Sequence, residues 1–452
     1  MQSKSHVDAY LAQLVRRTAE KSEFGEVFTP VSVIDDMLAA LPKHVWSDPN
    51  LKWCDPACGV GNFPLKIVFG GEGYIGLLDG LAEIITNKTK RIRHIFETMI
   101  YAGDINASSI DRLLQTIREI DPDIKPNIET GDFLESVAEP RYDIIIGNPP
   151  YNSGGTKRQG EKRIHVRFTA HSLACLRNGG YLSFVCPPNY REAGSTMNML
   201  FRGTKGAFSY IRIYGPNETH KLFKVQTRVD SFVWHNGYTG ACRVIDERGK
   251  HTHTRIDLTR HVPNFGFSIF EKLRSQTSAH IHAFRNTEAT TITCEKSGLV
   301  PSGTYKIIHL FVEDGIKIMH RNRPHSLQYT PKILLNGLGI PYVFYDREGV
   351  YGITQTPVII TNPSEDLYTF MKSPLFYCIL WGLRITGNNN LPYMLEDIPK
   401  DYGKHIMWSD DELAFINSFR VPEFENKEIS GDCTLRSGRK TRRRPRRVLS
   451  TK

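Results

Sequence analysis

Short apolar runs alternate with amphipathic stretches along roughly the first half of the 452 residues. The apolar runs predict β-strands, whereas stretches with an apolar residue at every third or fourth position predict α-helices. The predicted strands are 51–56, 99–104, 127–130, 142–147, 181–186, 209–214, 230–234 and 243–246, and the predicted helices are 1–22, 108–120 and 163–176, the last stopped by Gly179 and Gly180. This alternation is typical of an α/β fold with a doubly wound sheet, which binds ligands at the carboxyl ends of its strands.

The pattern becomes less regular from about residue 248, where His, Thr and Arg are frequent. We therefore predict an N-terminal helix over 1–22, a first domain over 23–247, a second domain over 248–425 and a basic tail over 426–452. Within the second domain, 331–335 and 351–356 have the pattern of strands. In the first domain, 70–98 is expected to be an inserted helix.

Positive charge is concentrated at one end of the chain. The formal net charge is +10, and Cys433 to Lys452 contains nine basic residues and no acid, so 10 minus 9 leaves +1 for residues 1–432. A run of like charge this dense repels itself, and we expect it to be disordered. Three interpretations remain open, namely a solubilising end, a non-specific contact with nucleic-acid phosphates and, in a host with a nucleus, an import signal.

Cysteine usage and hydropathy exclude several classes of protein. The eight cysteines form no C-x-x-C pair, and Cys54 and Cys58 have no matching Cys or His pair nearby, so we predict no metal site. The N-terminus lacks the apolar segment of a signal peptide, and no run approaches the roughly 18 apolar residues of a membrane span. We expect free thiols and a soluble, cytoplasmic protein.

The most informative segment is an apolar strand that leads directly into Asn-Pro-Pro-Tyr, over Asp143–Tyr151. Pro149 and Pro150 fix the backbone and remove two N–H donors, and a residue before a proline is biased towards an extended conformation. The rigid loop presents the amide oxygen of Asn148, a proline carbonyl and the ring of Tyr151. These groups can accept both hydrogens of a planar amino group and stack on its ring. The alternative interpretation is a simple turn after a strand.

Three other strand ends carry residues suited to a nucleoside. Asp55-Pro-Ala-Cys-Gly-Val-Gly-Asn-Phe63 follows the first strand, and its glycines allow a ligand to approach the backbone, although it is neither a P-loop nor G-x-G-x-x-G. Asp104 ends the second strand, where it can accept ribose hydroxyls. Asp132 and Phe133 end the third, where they can bind an adenine. Each acid alone is more often a cap or turn residue, but four such ends in succession favour a phosphate-free adenosine ligand.

Together these motifs resemble those of the S-adenosylmethionine-dependent DNA adenine-N6 methyltransferases of gamma motif order, as in type II restriction-modification. In that family a methionine-binding motif, here Phe24–Pro30, precedes the Gly-rich motif and N/D-P-P-Y/F. The resemblance covers about 24–235 and implies a Rossmann-like class I methyltransferase fold followed by a target-recognition domain. It implies S-adenosylmethionine as the cofactor, bound by Phe28, Thr29, Pro30, Asp55, Ala57, Gly59, Gly61, Asp104, Asp132 and Phe133. It assigns the target adenine to Asn148, Pro149, Pro150 and Tyr151.

Two positions are less settled than these. The family has a second aromatic that stacks on the other face of the base, on a loop late in the catalytic domain. Phe223, which precedes an apolar strand, fits that place, with a core aromatic as the alternative. The ribose carboxylate is the other position, because Asp104 lies farther from Gly61 than in a minimal Rossmann unit, and Asp79 lies closer to the usual spacing of about 20 residues.

The implied activity is methyl transfer to the N6 amino group of adenine in double-stranded DNA, after the base has been flipped out of the helix. We expect a monomer, and a cognate restriction endonuclease on a separate chain because no nuclease motif is seen. The alternatives are cytosine-N4 as the target, a protein glutamine or RNA as the substrate, or a non-catalytic DNA-binding module. In the second domain, His320–Pro324 and Arg384–Asn390 have side chains that can contact phosphates or base edges, with exposed loops as the alternative.

Overall fold

The computed structural model describes residues 29–151, 163–225, 228–285, 299–300, 302–354, 357–385, 391–424 and 427–430. The predicted helix over 1–22 and the basic stretch from Cys433 to Lys452 lie outside these residues. The chain divides into two compact units, the first comprising Met1–Phe267 with Ile385–Gly387 and the second comprising Ser268–Arg384 with Asn388–Lys452.

A nine-stranded sheet forms the centre of the first unit, in the order β3-β2-β1-β4-β5-β7-β6-β8-β9. Its strands are β1 (Trp53–Asp55), β2 (Ile100–Asp104), β3 (Asn127–Thr130), β4 (Tyr142–Gly147), β5 (Leu176–Cys186), β6 (Gly206–Ile213), β7 (Asp230–Asn236), β8 (Cys242–Ile245) and β9 (His251–Thr254). Strands β1 to β5 pair in parallel, whereas β7 is antiparallel to both β5 and β6. The predicted doubly wound α/β sheet is therefore confirmed, and the carboxyl ends of β1 to β4 share one edge.

Helices of the first unit connect these strands, namely α1 (Val31–Ala39), α2 (Asn62–Phe69), α3 (Gly76–Gly80), α4 (Lys88–His94), α5 (Ala107–Ile120), α6 (Ile164–Cys175), α7 (Thr196–Arg202) and α8 (Pro216–Phe223). Helix α5 shows how the sequence sets them, because Ile110, Leu113 and Ile117 recur on one face and are buried. Asn106 caps α5 by accepting a hydrogen bond from the Ser108 N–H at 3.1 Å. The segment 70–98 contains two helices rather than one, α3 and α4, followed by a π-helical turn.

Strand β4 is buried on both faces of the sheet. Ile144 and Ile146 belong to the core on one face, and Ile145 belongs to the core on the other. A strand in this position needs apolar residues at successive positions, which explains why the run before Asn-Pro-Pro-Tyr does not alternate with polar residues.

Two expectations about the first unit need correction. Gly179 and Gly180 do not stop helix α6, which ends at Cys175, but lie inside β5. The chain enters β5 at once because the Arg141 N–H donates to the Cys175 carbonyl at 2.9 Å and Leu176 pairs with β4. The first unit also extends to Phe267 rather than 247, because β8 pairs with β6 and then turns back into β9.

The second unit contains two four-stranded sheets, in the orders β10-β16-β13-β14 and β15-β11-β12-β17. Its elements are α9 (Phe267–Arg274), β10 (Phe284–Arg285), β11 (Tyr305–Val312), β12 (Gly315–Arg321), β13 (Lys332–Leu335), β14 (Val343–Asp346), β15 (Gly352–Ile353), β16 (Val358–Thr361), α10 (Glu365–Met371), α11 (Pro374–Leu383), α12 (Asp410–Asn417) and β17 (Glu428–Ser430). The strand predicted over 331–335 is confirmed as β13. Of the strand predicted over 351–356, Gly352 and Ile353 form β15, and residues 355–356 lie outside the described residues. Both sheets contribute to one core, in which Ile308 and Ile318 meet Leu334 and Ile359.

Candidate active site

The Gly-rich turn after β1 places a carboxylate in the interior. Asp55 is 2% exposed, and its Oδ1 accepts a hydrogen bond from the Ala57 N–H at 3.3 Å. Its Oδ2 is buried and has no hydrogen-bond donor among the residues that the structure describes. Burial raises the pKa of Asp55 well above its ordinary value, and the carboxylate of Asp104 adds to the rise. A buried, under-satisfied carboxylate of this kind is suited to a cationic ligand.

The glycines of this turn are required by its geometry. Gly59 and Gly61 have φ angles of +52° and +90°, in the left-handed region that other residues rarely adopt. A Cβ at Gly61 would lie 2.3 Å from the Cδ1 of Leu113 on α5, whereas no atom of the described residues lies within 4 Å of the Cβ position at Gly59. The turn is thus packed closely against α5 at Gly61 and open at Gly59.

Asp104 joins the ends of β1 and β2. Its Oδ2 accepts from the Gly59 N–H at 2.9 Å, and its Oδ1 accepts from the Asn106 N–H at 2.8 Å. Asp79, the other candidate for the ribose carboxylate, is exposed on α3. The structure therefore brings Asp104, and not Asp79, to the edge of the sheet where Asp55 lies.

A cavity of about 450 Å³ opens beside the end of β3. Its lining includes residues from the ends of three strands, namely Pro56, Gly103, Gly131, Asp132 and Phe133. Asp132 is exposed and accepts from the Leu134 N–H at 2.9 Å, which caps a short helical turn. The ring of Phe133 stacks on Phe168 of α6, with 5.9 Å between centroids and 28° between planes. Phe133 thus gives the cavity an aromatic wall, and the contact with Phe168 supports the position of its ring.

Gly147 brings the Asn-Pro-Pro-Tyr loop against the Gly-rich turn. A Cβ at Gly147 would lie 2.6 Å from Asp55 Oδ1, so only glycine fits at the end of β4 without displacing that carboxylate. Asn148 follows at once and is half-buried, Pro149 is buried and Pro150 is exposed. The predicted amide group and the predicted methionine-end carboxylate thus lie on neighbouring strand ends.

Tyr151 is half-buried between the cores on the two faces of the sheet. Burial raises the pKa of Tyr151 well above its ordinary value. Its backbone carbonyl lies 3.2 Å from Nδ1 of His165, the second residue of α6, and the two rings meet edge to face at 6.3 Å. The loop is therefore fixed at its last residue by a side chain that the sequence motifs did not indicate.

His165 in turn reaches a third segment of the chain. Its Nε2 lies 3.3 Å from Oδ1 of Asn189, in the turn after β5. His165 is 3% exposed, and burial lowers its pKa, so the neutral ring is favoured. Both facing atoms are oxygens, so a neutral ring that donates from Nδ1 to the Tyr151 carbonyl can accept at Nε2 only if the Asn189 amide is turned to present its NH₂ group in place of Oδ1.

A buried ion pair anchors the turn that carries Asn189. Arg191 Nε lies 2.6 Å from Asp230 Oδ2 at the start of β7, with both side chains 0% exposed. Arg191 also donates to the Val262 carbonyl and to the Asn264 side chain at 3.1 and 3.0 Å. Sequence patterns gave no sign of this pair, because a lone Arg and a lone Asp separated by 39 residues have no common motif.

The remaining predicted site residues are placed as follows. Phe28 lies outside the described residues, Thr29 is buried, and the carbonyl of Pro30 accepts the first hydrogen bonds of α1. Phe223 is the last residue of α8 rather than a loop residue, is 5% exposed and meets Tyr214 edge to face at 5.9 Å. Its assignment to base stacking stays a prediction and would require the ring to leave this contact.

Two arginines predicted to contact nucleic acid are buried instead. Arg321 is 1% exposed at the end of β12, and Arg384 is 4% exposed and lies over the Trp381 ring at 4.4 Å. Neither guanidinium is at the surface, so neither can form a direct base contact in this conformation. Within the described ranges no cluster of His, Cys, Asp or Glu could hold a metal ion, and no helix is long and apolar enough to cross a membrane.

The sequence model of the family described as Eco57I restriction-modification methylase matches residues 66–205. A Mycoplasma pneumoniae protein described as an uncharacterized adenine-specific methylase is 34% identical, over 56% of this chain and 79% of that protein. The type II methyltransferase M.HincII of Haemophilus influenzae is 21% identical over 94% of this chain and 76% of that enzyme. The type II methyltransferase M.VspI of Vibrio sp. is 26% identical over 36% of this chain and 37% of that enzyme.

A solved structure shares the fold. It is a nuclease-deletion mutant of the type ISP restriction-modification enzyme LlaGI, determined with a DNA substrate mimic, and the TM-score is 0.50 at 12% identity. The alignment covers 87% of this chain and 54% of that one, so this chain spans about half the length of the nuclease-deleted chain.

Proposed function

The chain belongs to the Eco57I restriction-modification methylase family, and we propose that it transfers a methyl group from S-adenosylmethionine to the N6 amino group of adenine in double-stranded DNA. The observation that supports this most directly is the Asn148-Pro-Pro-Tyr loop, which Gly147 brings against the buried carboxylate of Asp55. We propose further that the chain acts as a monomer, with its cognate endonuclease on a separate chain.

The residues at the strand ends fit the cofactor. Asp55 Oδ2 is a buried acceptor that could receive the ammonium group of the methionine end, with Thr29 and Pro30 as the proposed neighbours. Asp104 uses each oxygen for one backbone N–H and retains lone pairs for ribose hydroxyls. Asp132 and Phe133 line a cavity of about 450 Å³ and would receive the adenine. When bound, the cofactor supplies an electrophilic methyl group on a positively charged sulfur.

Asn148 and Pro149 would prepare the amino group for attack. The lone pair of an adenine amino group is delocalised into the ring, so this nitrogen is a weak nucleophile. If the Asn148 amide oxygen and the Pro149 carbonyl accept both N–H hydrogens, the lone pair localises and points towards the methyl group. The contribution of the protein is then positioning and electrostatic preorganisation.

The target base must leave the double helix to reach this loop. The N6 amino group is paired within duplex DNA, and enzymes that modify such groups extrude the nucleotide into a pocket. Tyr151 would replace the stacking that the base loses, with Phe223 as the proposed second aromatic. Adenine is proposed over cytosine because Asn, and not Ser, precedes the two prolines.

Replacing Asn148 with Ala tests this proposal. We expect Asn148→Ala to abolish methyl incorporation into DNA and to leave the dissociation constant of S-adenosylmethionine nearly unchanged, because Asn148 is assigned to the base and not to the cofactor. Asn50→Ala, at an exposed Asn outside the site, is the matched control. Full activity of Asn148→Ala would contradict the assignment.

The product identifies the substrate. Methyl incorporation should be measured with DNA, RNA and protein, and methylated DNA should be hydrolysed to identify the modified base. N6-methyladenine is the expected product, whereas N4-methylcytosine, methylated RNA or methylglutamine would each replace the proposal with a different reaction. Cofactor binding without transfer to any substrate would indicate a non-catalytic module.

A further inference from the structure

A seven-residue turn joins β13 to β14 in the second unit, over 336–342. Leu338 and Ile340 are each 48% exposed at its tip, whereas Asn336 and Tyr342 at its base are buried. Gly339 lies between the two apolar residues with a φ of +70°. The turn therefore displays two large apolar side chains to solvent on either side of a left-handed glycine.

Side chains from beneath hold the backbone of this turn. Each of the five consecutive carbonyls of residues 337–341 accepts a hydrogen bond. The donors are the Arg285 guanidinium to Gly337, the Asn336 amide to Leu338 and Ile340, the Arg384 guanidinium to Gly339 and the Tyr377 hydroxyl to Pro341. Unlike an ordinary exposed turn, whose carbonyls are satisfied by water, this one is fixed in a single conformation.

Burying the side chains that donate these hydrogen bonds costs free energy of desolvation, which a turn that only joins two strands does not require. Arg384 and Tyr377 are 4% and 2% exposed, and a guanidinium loses much of its hydration when it is buried. Arg285 is half-buried, and burial lowers its pKa. The guanidinium groups of Arg285 and Arg384 thus lie directly under Gly337 and Gly339, and the turn is a rigid apolar tip with positive charge beneath its first half.

The chemistry of the tip favours one kind of partner. Two half-exposed side chains are far less than the roughly 800 Å² per partner of a standard protein interface, which argues against a second copy of the chain. DNA fits better, since proteins that kink DNA insert small apolar wedges such as Leu or Ile between base steps, and positive charge beneath a wedge attracts phosphates. Burial raises the pKa of Tyr342, and the nearby acids Glu313 and Asp314 add to the rise. Negative charge thus lies near the last residue of the turn, and we expect phosphates on the side of Gly337 and Gly339, above the two guanidinium groups.

We infer that the turn over 336–342 is an apolar wedge that inserts Leu338 and Ile340 against a base step of bound DNA. This inference rests on the proposed function, because it takes DNA as the substrate, and it adds a contact that the sequence motifs did not indicate. The wedge unstacks or kinks the duplex, while the hydrogen-bonded carbonyls keep its own conformation unchanged. Because the turn is already ordered, binding has no free-energy cost for ordering it, and more of the favourable contact energy can offset the deformation of the DNA.

The test is the double variant Leu338→Ala/Ile340→Ala in the full chain. The probe is a linear duplex that the wild-type protein methylates, and affinity, its salt dependence and DNA bending are measured by gel shift and fluorescence resonance energy transfer. We expect binding to weaken about 10- to 100-fold, since two large apolar side chains no longer reach the bases. We also expect the bend to decrease and the slope of affinity against salt to stay the same, because the contacts with phosphates remain.

The matched control is Met407→Ala/Leu413→Ala, which removes two exposed apolar side chains elsewhere in the second unit and should change neither affinity nor bending. Thermal unfolding should show wild-type stability for both double variants. Wild-type affinity and bending of Leu338→Ala/Ile340→Ala, with methylation intact, would overturn the wedge alone. A change from dimer to monomer in that variant would show that the tip binds a second copy instead. Failure of the wild type to methylate any DNA would overturn the proposed function and the wedge with it.

Discussion

At the scale of single residues, the buried carboxylate of Asp55 suits a cationic ligand but lowers the stability of the protein without that ligand. In the free protein its Oδ2 is buried without a donor among the described residues, and burial raises its pKa. A carboxyl group whose pKa is raised by folding contributes to stability below its ordinary pKa, here 3.8, and that contribution is lost as the pH rises towards the folded value. The charge that would hold a cationic ligand thus destabilises the free protein at neutral pH.

We predict that Asp55→Asn raises the free energy of unfolding at neutral pH by about 1–3 kcal/mol, because the amide carries no charge and avoids the cost of ionising a carboxyl group whose pKa is raised by burial. The excess should grow as the pH rises from about 4, because only the wild type loses a proton in that range. The same variant should bind S-adenosylmethionine about 10- to 100-fold more weakly, since a charge-assisted hydrogen bond is removed. Urea unfolding across pH and calorimetric titration measure the two effects.

Glu83→Gln, at an exposed acid on the same unit, is the control and should change neither quantity. A variant Asp55→Asn that is less stable than the wild type at neutral pH would show that Asp55 is a structural residue, and the assignment of this carboxylate to the cofactor would then fail.

At the scale of elements, three segments distant in sequence meet at His165. Helix α6 supplies the ring, the loop after β4 supplies the Tyr151 carbonyl and the turn after β5 supplies Asn189. The Arg191–Asp230 pair, buried and bidentate, fixes that turn to β7. His165 is therefore a positioning residue, which connects the proposed catalytic loop to the antiparallel part of the sheet.

We predict that His165→Phe lowers the rate of methyl transfer at saturation by about 10- to 100-fold, because a loop displaced by a fraction of an ångström positions its acceptors poorly. The KM for S-adenosylmethionine should stay the same, since the hydrogen bonds of His165 go to Tyr151 and Asn189 and not to residues assigned to the cofactor. His165→Asn, whose amide can donate like Nδ1, should recover part of the rate. Steady-state kinetics and chymotryptic cleavage after Tyr151 measure the effect on chemistry and on the loop.

His251→Phe, at an exposed position of β9, serves as the control. Equal rates for His165→Phe and the wild type, or a loss that appears only as weaker cofactor binding, would remove the positioning role. Faster cleavage after Tyr151 in His165→Phe is expected whether or not DNA is the substrate. This measurement therefore tests the positioning of the loop by His165 separately from the proposed activity on DNA.

The elements that sequence could predict are those that local pattern determines. β3 and β4 begin and end at the predicted residues. For β4 the reason is an apolar run that is buried on both faces of the sheet and ends at turn residues, whereas β3 is partly exposed and lies between Pro126 and Gly131. The end of α6 was predicted wrongly, since Gly179 and Gly180 suggest a helix stop but lie in a strand. The pairing of Leu176 with β4 places the chain in the sheet before it reaches the glycines, and this tertiary contact outweighs their local preference for a turn.

The site was predictable to the same extent and for the same reason. Asp55, Asp104 and Asn148 could be proposed from the sequence because each lies at the carboxyl end of a strand or directly after it, and the strand ends of a parallel sheet converge. His165 and the Arg191–Asp230 pair could not be found, since their partners are fixed only by tertiary packing. Arg384 was misplaced because an Arg in a polar segment gives no sign that its guanidinium is buried against Trp381.

At the scale of the whole molecule, charge is divided unevenly. Nine of the ten excess positive charges belong to the last 20 residues, outside the described structure, and residues 1–432 have a net charge of +1. Several arginines and lysines of the two units are buried in ion pairs or hydrogen bonds, including Arg191, Lys332 and Arg384. If the chain acts on DNA as proposed, we expect the described units to contact it through local patches and the basic stretch to supply most of the long-range attraction.

We predict that a chain ending at Gly431 binds DNA more weakly and with a shallower dependence on salt, while the rate of methyl transfer at saturating DNA is unchanged. For each phosphate that the shortened chain no longer neutralises, the slope of log affinity against log salt should fall by about 0.9. Gel shifts over a range of salt concentrations and a methylation assay measure these quantities. An unchanged affinity and slope would leave the basic stretch with a solubilising role only.

In the turn over 336–342, the side chains that hold the backbone are different from the side chains that are exposed to solvent. Its carbonyls are held by Arg285, Asn336, Tyr377 and Arg384, so the groups that fix the backbone are distinct from the side chains of Leu338 and Ile340. These two positions can therefore mutate without refolding the turn, as the tip positions of an antibody loop can. A library randomised at Leu338 and Ile340 alone would present many different side-chain chemistries on one unchanged backbone.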